Sequence, residues 1–68
     1  MKTVDARGLS CPEPVILTRG AMGGGETAYQ ILVDNPTARE NVARYAGSQG
    51  YRVEIAEKDG EYTLTVTK

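Results

Sequence analysis

The chain has a single cysteine, Cys11, and this is its residue with the strongest capacity for covalent chemistry. It stands in the segment Gly8-Leu9-Ser10-Cys11-Pro12-Glu13-Pro14, directly before an apolar run that is typical of a helix. The first N–H groups of a helix have no partner within it, and with the helix dipole they favour negative charge. A thiol placed there ionises more readily, and its thiolate is the nucleophile. We therefore predict a reactive thiol at a helix start; the alternative is a small buried core residue, as most free cysteines are.

The residues around Cys11 suit a structural role in presenting it. Pro12 and Pro14 stiffen the first helical turn and favour extended backbone before it, which should hold Cys11 outward. Gly8 can turn the chain sharply, and Asp5 is interpreted as a brace or cap of the same loop. Glu13 complements the helix N-terminus and would slightly oppose a thiolate, so we do not interpret it as a base.

Composition excludes several classes of site. Without any histidine the chain can have neither Cys-His catalysis nor a plausible zinc site, and we predict no metal and no cofactor. A formal charge of −1 argues against a surface that tracks nucleic-acid phosphates. Gly23-Gly24-Gly25 follows a helix rather than preceding one, which is typical of a linker and not of a phosphate loop.

The length and the cysteine count of the chain indicate its number of domains and its redox compartment. Sixty-eight residues make one small domain with a modest core, and we expect residues 1–68 to form a single domain and a monomer. One cysteine cannot form an internal disulfide, which small secreted domains usually need, so we expect a reducing cytoplasm. No stretch approaches the length that spans a membrane.

Hydrophobic patterning predicts the element order β-α-β-α-β-β. We predict strands over 3–6 and 28–33, a helix from near Pro12 to the glycines at 23–25, and a helix over 36–49 that Asp34-Asn35-Pro36 begins. A hairpin then turns at Lys58-Asp59-Gly60. The result is an α/β (α+β) two-layer sandwich, with a four-stranded mixed sheet and both helices on one face.

The residues that these patterns place on the inner faces of the elements predict the core. They are Tyr29, Ile31 and Val33 in the second strand; Ala38, Val42, Tyr45, Ala46 and Gln49 in the second helix; and Tyr51, Val53, Ile55, Tyr62, Leu64 and Val66 in the hairpin. The first helix is different, because Val15, Ile16, Leu17, Ala21 and Met22 spread around it. Such a helix is either well buried or carries an exposed apolar patch.

The sequence also resembles the TusA/SirA/YedF family of small sulfur-carrier proteins over essentially its whole length. The resemblance lies in Asp5-Ala6-Arg7-Gly8-Leu9-Ser10-Cys11-Pro12-Glu13-Pro14, followed by Val33-Asp34-Asn35-Pro36 and Ser48-Gln49-Gly50-Tyr51. The C-P-x-P box in its D-A-x-G-L-x-C-P-x-P frame is the most specific part, and the later phrases are closest to the N-terminal module of YedF-type proteins. The end of the first helix departs from the family, since Arg19-Gly20-Ala21-Met22-Gly23 lacks the usual charged helix formers.

The resemblance implies a persulfide on Cys11. Family members take the sulfur from a cysteine desulfurase or a rhodanese-like donor and pass it to an acceptor protein. Arg7 and Arg19 are then candidates to bind the anionic persulfide or an acidic partner face, although ordinary solvated arginines are the alternative. Two other functions stay open: a non-catalytic module that docks on a partner, and a thiol linked to selenium metabolism.

Overall fold

The elements follow one another in the predicted order. The computed structural model describes residues 2–9, 13–24 and 27–68. Its elements are β1 (Lys2–Asp5), α1 (Glu13–Met22), β2 (Ala28–Val33), α2 (Pro36–Ser48), β3 (Arg52–Lys58) and β4 (Glu61–Thr67). The strands lie side by side as β1-β2-β4-β3, with β1 parallel to β2 and the other neighbours antiparallel. The predicted mixed α+β sandwich is confirmed.

The core lies between the helices and one face of the sheet. Its buried side chains are those of Val4, Ala6, Tyr29, Ile31, Val33, Ala38, Val42, Ala46, Tyr62, Leu64 and Val66. The strand register places Tyr29 opposite Val66 and Ile31 opposite Leu64. Residues between them, such as Thr65, lie on the opposite face and are partly exposed. The alternation seen in the sequence thus separates a packed face from an open one.

Three residues predicted for the core lie outside it, the partly exposed Tyr45 and the exposed Ile55 and Gln49. Ile55 is paired with Leu64 in the sheet, yet it is 48% exposed, because β3 is the last strand and the helices do not fully cover it. Gln49 is exposed because it caps the end of α2 instead of continuing its buried stripe. The prediction for Ile55 was wrong because periodicity does not show where the cover by the helices ends, and that for Gln49 because α2 ends one residue earlier than predicted.

The predicted start of α2 is confirmed, and the helix ends at Ser48, one residue before the predicted end. Asn35 is the N-cap, its side-chain oxygen accepts the Ala38 N–H at 2.8 Å, and Pro36 follows as the first helical residue. Proline fits this position, because the N–H that it lacks would have no partner there. At the other end Gly50 has a φ of +86°, a conformation that glycine adopts without strain.

The bounds of β1 and α1 differ slightly from the prediction. β1 ends at Asp5, although the Ala6 N–H still donates to the Leu32 carbonyl at 2.8 Å. The predicted start of α1 near Pro12 lies outside the described residues. The helix ends at Met22, where the buried Tyr29 hydroxyl donates to the Met22 carbonyl at 3.3 Å. Neither helix, so far as residues 13–24 and 27–68 show, is long and apolar enough to cross a bilayer.

The β3–β4 hairpin turns through two residues of positive φ. Asp59 has a φ of 53° and Gly60 a φ of 80°, and the strands on either side end at Lys58 and begin at Glu61. Positive φ at both central residues defines the type I′ turn, whose twist matches that of the strands. The Asp-Gly signal in the sequence therefore predicted the turn correctly.

Alanine in place of Gly60 should destabilise the protein by about 1–2 kcal/mol, because a Cβ is unfavourable at positive φ. The matched control is Gly47→Ala in α2, where an added Cβ would meet nothing within 4 Å. There the same change should stabilise by about 0.5–1 kcal/mol, since glycine is a poor helix former. Urea unfolding measures the change in the free energy of unfolding for each variant. Equal changes of the same sign would contradict the turn assignment.

Candidate functional site

The candidate site lies at the edge of the sheet where the parallel strands β1 and β2 end. Asp5, Arg7 and Gly8 stand at or just beyond the end of β1, and Asp34 follows β2. In open α/β sheets, the carboxyl ends of parallel strands are where ligands bind. Cys11 itself, with its neighbours Ser10 and Pro12, lies outside the described residues, so its role stays a prediction.

Asp5 and Arg7 form a closed ionic fork at this edge. The Asp5 carboxylate accepts the Arg7 backbone N–H at 3.1 Å, its Nε at 3.0 Å and its Nη2 at 2.9 Å. The side-chain hydrogen bonds from Arg7 are the main reason that the pKa of Asp5 falls from 3.8 to about 2. The same hydrogen bonds raise the pKa of Arg7. The fork therefore fixes the backbone just after β1 as a short, charged turn.

Arg7 also joins the end of β1 to the start of β4 at the same edge of the sheet. Its Nη1 lies 3.4 Å from Glu61 Oε1, at the start of β4 and 54 residues away along the chain. Arg7 was predicted to bind an anionic persulfide or a partner. The structure gives its guanidinium two carboxylates, and its side chain is 43% exposed. Arg7 therefore braces the turn, and its role in binding stays a prediction.

The chain turns back towards α1 at Gly8. The Leu9 N–H approaches the Ala6 carbonyl at 3.4 Å, and Gly8 has a φ of 79°. A positive φ at the third residue is that of a type II turn, which favours glycine. Beyond it Leu9 is half-buried against the core. Gly8 thereby sets the direction of the chain at Leu9, the last described residue before Cys11.

Asp34 is the site residue that sequence reasoning missed. Its carboxylate accepts the Gly8 N–H at 2.7 Å, across the edge between β1 and β2. The sequence assigned Asp34 to a helix-start signal together with Asn35, and Asn35 proved to be the cap. Its contact could not be predicted, because the two residues are 26 positions apart.

The first turns of α1 have a buried side. Pro14 and Thr18 are buried, and the Thr18 hydroxyl donates to the Pro14 carbonyl at 2.8 Å. Glu13 is exposed in the first described turn, where its charge complements the helix dipole. The buried face of α1 is thus narrow. Its buried residues are not the ones that the apolar pattern of the sequence indicated.

The outer side of α1 carries an exposed apolar patch. Ile16 is 58% exposed and Leu17 41% exposed. Together with Gly20 and Ala21 they line a groove of about 420 Å³ against the edge strand β1. Of the two possibilities that the sequence left open for this helix, the structure has the exposed patch.

Arg19 is placed in the last turn of α1 and is exposed. Within residues 2–9, 13–24 and 27–68 no hydrogen bond or ion pair of its side chain is seen, in contrast to Arg7. The same residues contain no group of three or more acidic side chains close enough to hold a metal ion. Arg19 stays a prediction as a binding residue.

Lowering the pH should leave the Asp5–Arg7 fork intact until unusually acid conditions. Because folding depresses the pKa of Asp5 from 3.8 to about 2, the fork's contribution to stability is complete above 3.8 and is lost as the pH falls through 2. A carbon-13 NMR titration of the Asp5 carboxyl should give a midpoint near 2, and Arg7→Ala should return it towards 3.8. Arg44→Ala is the control, and a midpoint of 3.8 in the unchanged protein would contradict the fork.

Comparison with known proteins decides the family. The family described as "Sulfurtransferase TusA" matches residues 2–68. The chain belongs to the TusA family. Its TusA-type fold is also that of the SirA-like protein from Desulfitobacterium hafniense, whose crystal structure superimposes with a TM-score of 0.90 at 39% identity, covering 98% of this chain and 96% of that one.

Two archaeal relatives extend the TusA-family comparison. A "Putative sulfur carrier protein" of Methanocaldococcus jannaschii is 33% identical over 72 residues, which cover 100% of this chain and 95% of that protein. Another so named, from Archaeoglobus fulgidus, is 46% identical over 44 residues, 62% of this chain and 57% of its own length. The resemblance to the TusA/SirA family that the C-P-x-P frame predicted is therefore confirmed.

Proposed function

We propose that this protein is a sulfur-relay carrier, which accepts sulfane sulfur on Cys11 from a donor enzyme and delivers it to an acceptor protein. The observation that carries the proposal is the family match over residues 2–68, which includes the only cysteine of the chain in its C-P-x-P box. Both relatives bear sulfur-carrier names. We assign the whole of residues 1–68 to one such carrier domain, working in a reducing cytoplasm.

The chemistry needs no cofactor and no net redox change. The Cys11 thiolate attacks the terminal sulfur of a donor persulfide, a new S–S bond forms, and the donor thiolate leaves. An acceptor thiolate then attacks the terminal sulfur of the Cys11 persulfide, and the Cys11 thiolate leaves in turn. Because the chain has one cysteine, no second thiol of its own can resolve the persulfide into a disulfide.

The described surroundings support this role in two ways. The Asp5–Arg7 fork and the Gly8 turn give the segment that leads to Cys11 a defined origin at the sheet edge. Ile16 and Leu17 on α1 provide an exposed apolar surface on which a donor or an acceptor can dock. A carrier of this size depends on such docking, because its partners supply the rest of each active site.

The same apolar patch also favours a second candidate, a non-catalytic module that only docks on a partner. That function would need Ile16 and Leu17 but not the thiol. Sulfur loading separates the two, since a docking module has no reason to retain sulfur.

The test is to incubate the protein with a cysteine desulfurase and cysteine and to weigh it intact. The proposal predicts the added mass of one sulfur atom, lost on treatment with dithiothreitol, on the peptide that contains Cys11. A parallel incubation of the desulfurase with selenocysteine in place of cysteine shows whether the thiol takes selenium in preference. Protein that stays unmodified while an unrelated control carrier is loaded would refute the relay.

A further inference from the structure

The ladder of hydrogen bonds between β1 and β2 continues past the ends of the strands, where a side chain replaces a backbone acceptor. The last backbone rung is the hydrogen bond from the Ala6 N–H to the Leu32 carbonyl, at 2.8 Å. Two residues further along the chain, beyond the end of β1, the Gly8 N–H donates at 2.7 Å to Asp34 Oδ2, and Asp34 is two residues beyond Leu32. The carboxylate therefore takes the place of the next carbonyl acceptor, just where both strands have ended.

Asp34 also connects this rung to α2. Its other oxygen, Oδ1, accepts the Asn35 side-chain N–H at 3.3 Å. Asn35 in turn accepts the Ala38 N–H as the N-cap of α2. A chain of three hydrogen bonds thus runs from the first turn of α2, through Asn35 and Asp34, to the Gly8 N–H.

The contacts of Asp34 lie at the surface, just beyond the end of β1, and not in the core. Asp34 is exposed, and it is Asn35, not Asp34, that caps the helix. Hydrogen bonds to a charged acceptor are shorter and stronger than neutral ones, which agrees with the 2.7 Å to the Gly8 N–H. Gly8 is the residue of positive φ from which the chain departs towards Cys11.

We propose that Asp34 is a positioning residue for Cys11: by holding the Gly8 N–H it anchors the segment that presents the thiol to donor and acceptor. The inference rests on the proposed relay function for its role in transfer. Small errors in the placement of a reacting group cost large factors in rate. In this proposal Asp34 acts on the thiol through the backbone at Gly8 and is not a catalytic residue.

Three variants test this role. Asp34→Ala removes the acceptor, Asp34→Asn retains an oxygen that can accept the Gly8 N–H, and Glu40→Ala is the control. Glu40 is an exposed carboxylate on α2 that pairs with Arg44 at 3.0 Å, away from the β1–β2 edge. Amide hydrogen exchange at Gly8 shows first whether the bond is lost, and should be faster in Asp34→Ala alone.

Sulfur loading is then measured with increasing amounts of each variant as substrate of a cysteine desulfurase. We expect Asp34→Ala to lower the maximal loading rate about 10-fold or more, since misplacement acts on the reacting geometry. The concentration for half-maximal loading should not change, because α1 and its apolar patch are untouched. Asp34→Asn should restore most of the rate, and Glu40→Ala should match the unchanged protein.

A second measurement does not depend on the relay. The rate of alkylation of Cys11 by iodoacetamide is followed against pH, and Asp34→Ala should shift its midpoint towards that of a free thiol, while Asp34→Asn should not. Wild-type loading and alkylation in Asp34→Ala, or an Asp34→Asn as impaired as Asp34→Ala, would overturn the positioning role. If the unchanged protein is not loaded at all, the relay is wrong, and the alkylation profiles alone decide the role of Asp34.

Discussion

Serine in place of Cys11 is expected to abolish sulfur loading completely. A serine hydroxyl is not ionised near neutral pH and cannot accept sulfane sulfur, whereas a cysteine thiolate can. The chain has no other thiol that could substitute. The measurement is transfer of radioactive sulfur from labelled cysteine through a cysteine desulfurase onto the protein, separated on a non-reducing gel. The expected signal is background in Cys11→Ser and full labelling in the unchanged protein.

A displaced thiol provides the matched control. Ser48 is exposed at the last turn of α2, and adding Ser48→Cys to Cys11→Ser restores one thiol at a distant position. A helix C-terminus disfavours negative charge, so this thiol should load poorly if at all. Equal loading of the displaced thiol would show that the donor modifies any accessible cysteine. A Cys11→Ser variant that keeps its full activity in cells would instead favour the docking module.

Truncation of Leu64 to alanine is expected to cause the largest loss of stability. Leu64 is fully buried in the central strand β4, between Ile31 and Ile55. Removal of a buried leucine side chain costs about 2–5 kcal/mol, because both the transfer energy and a cavity count against the folded state. At about 0.05–0.15 kcal/mol per residue, the free energy of unfolding of the whole domain is about 3–10 kcal/mol. The variant should therefore be largely unfolded or have a strongly reduced midpoint in urea.

Ile55→Ala is the control for this prediction. Ile55 is the cross-strand partner of Leu64 on the same face, but it is 48% exposed. A half-exposed side chain loses only part of its transfer energy and leaves no closed cavity, so the cost should be about 1 kcal/mol. Equal losses in the two variants would mean that the edge strand is better covered than the structure shows.

Sequence signals that act over a few residues predicted the fold well. The Asp-Gly turn depends on the φ angles of Asp59 and Gly60 themselves, and the start of α2 depends on Asn35 and the Ala38 N–H three residues later. Alternation in β2 and β4 identified the buried faces, because both strands lie inside the sheet. Local chemistry is sufficient for features of this kind.

Features that depend on tertiary placement could not be predicted in the same way. Ile55 continues a perfect alternation, and only the position of β3 at the sheet edge exposes it. The contacts of Arg7 with Glu61 and of Gly8 with Asp34 join residues 54 and 26 positions apart. Thr18 is buried because of the direction in which α1 lies on the sheet, which its polarity would not suggest.

The reactivity of Cys11 as a function of pH is the most decisive measurement on this protein. We infer that its thiol is presented to partners and is ionised near neutral pH. The rate of alkylation by iodoacetamide should then rise with a midpoint well below the value of a free thiol, about 8.5. A thiol that reacts only in denaturant, or one whose midpoint is at or above that of a free thiol, would contradict it.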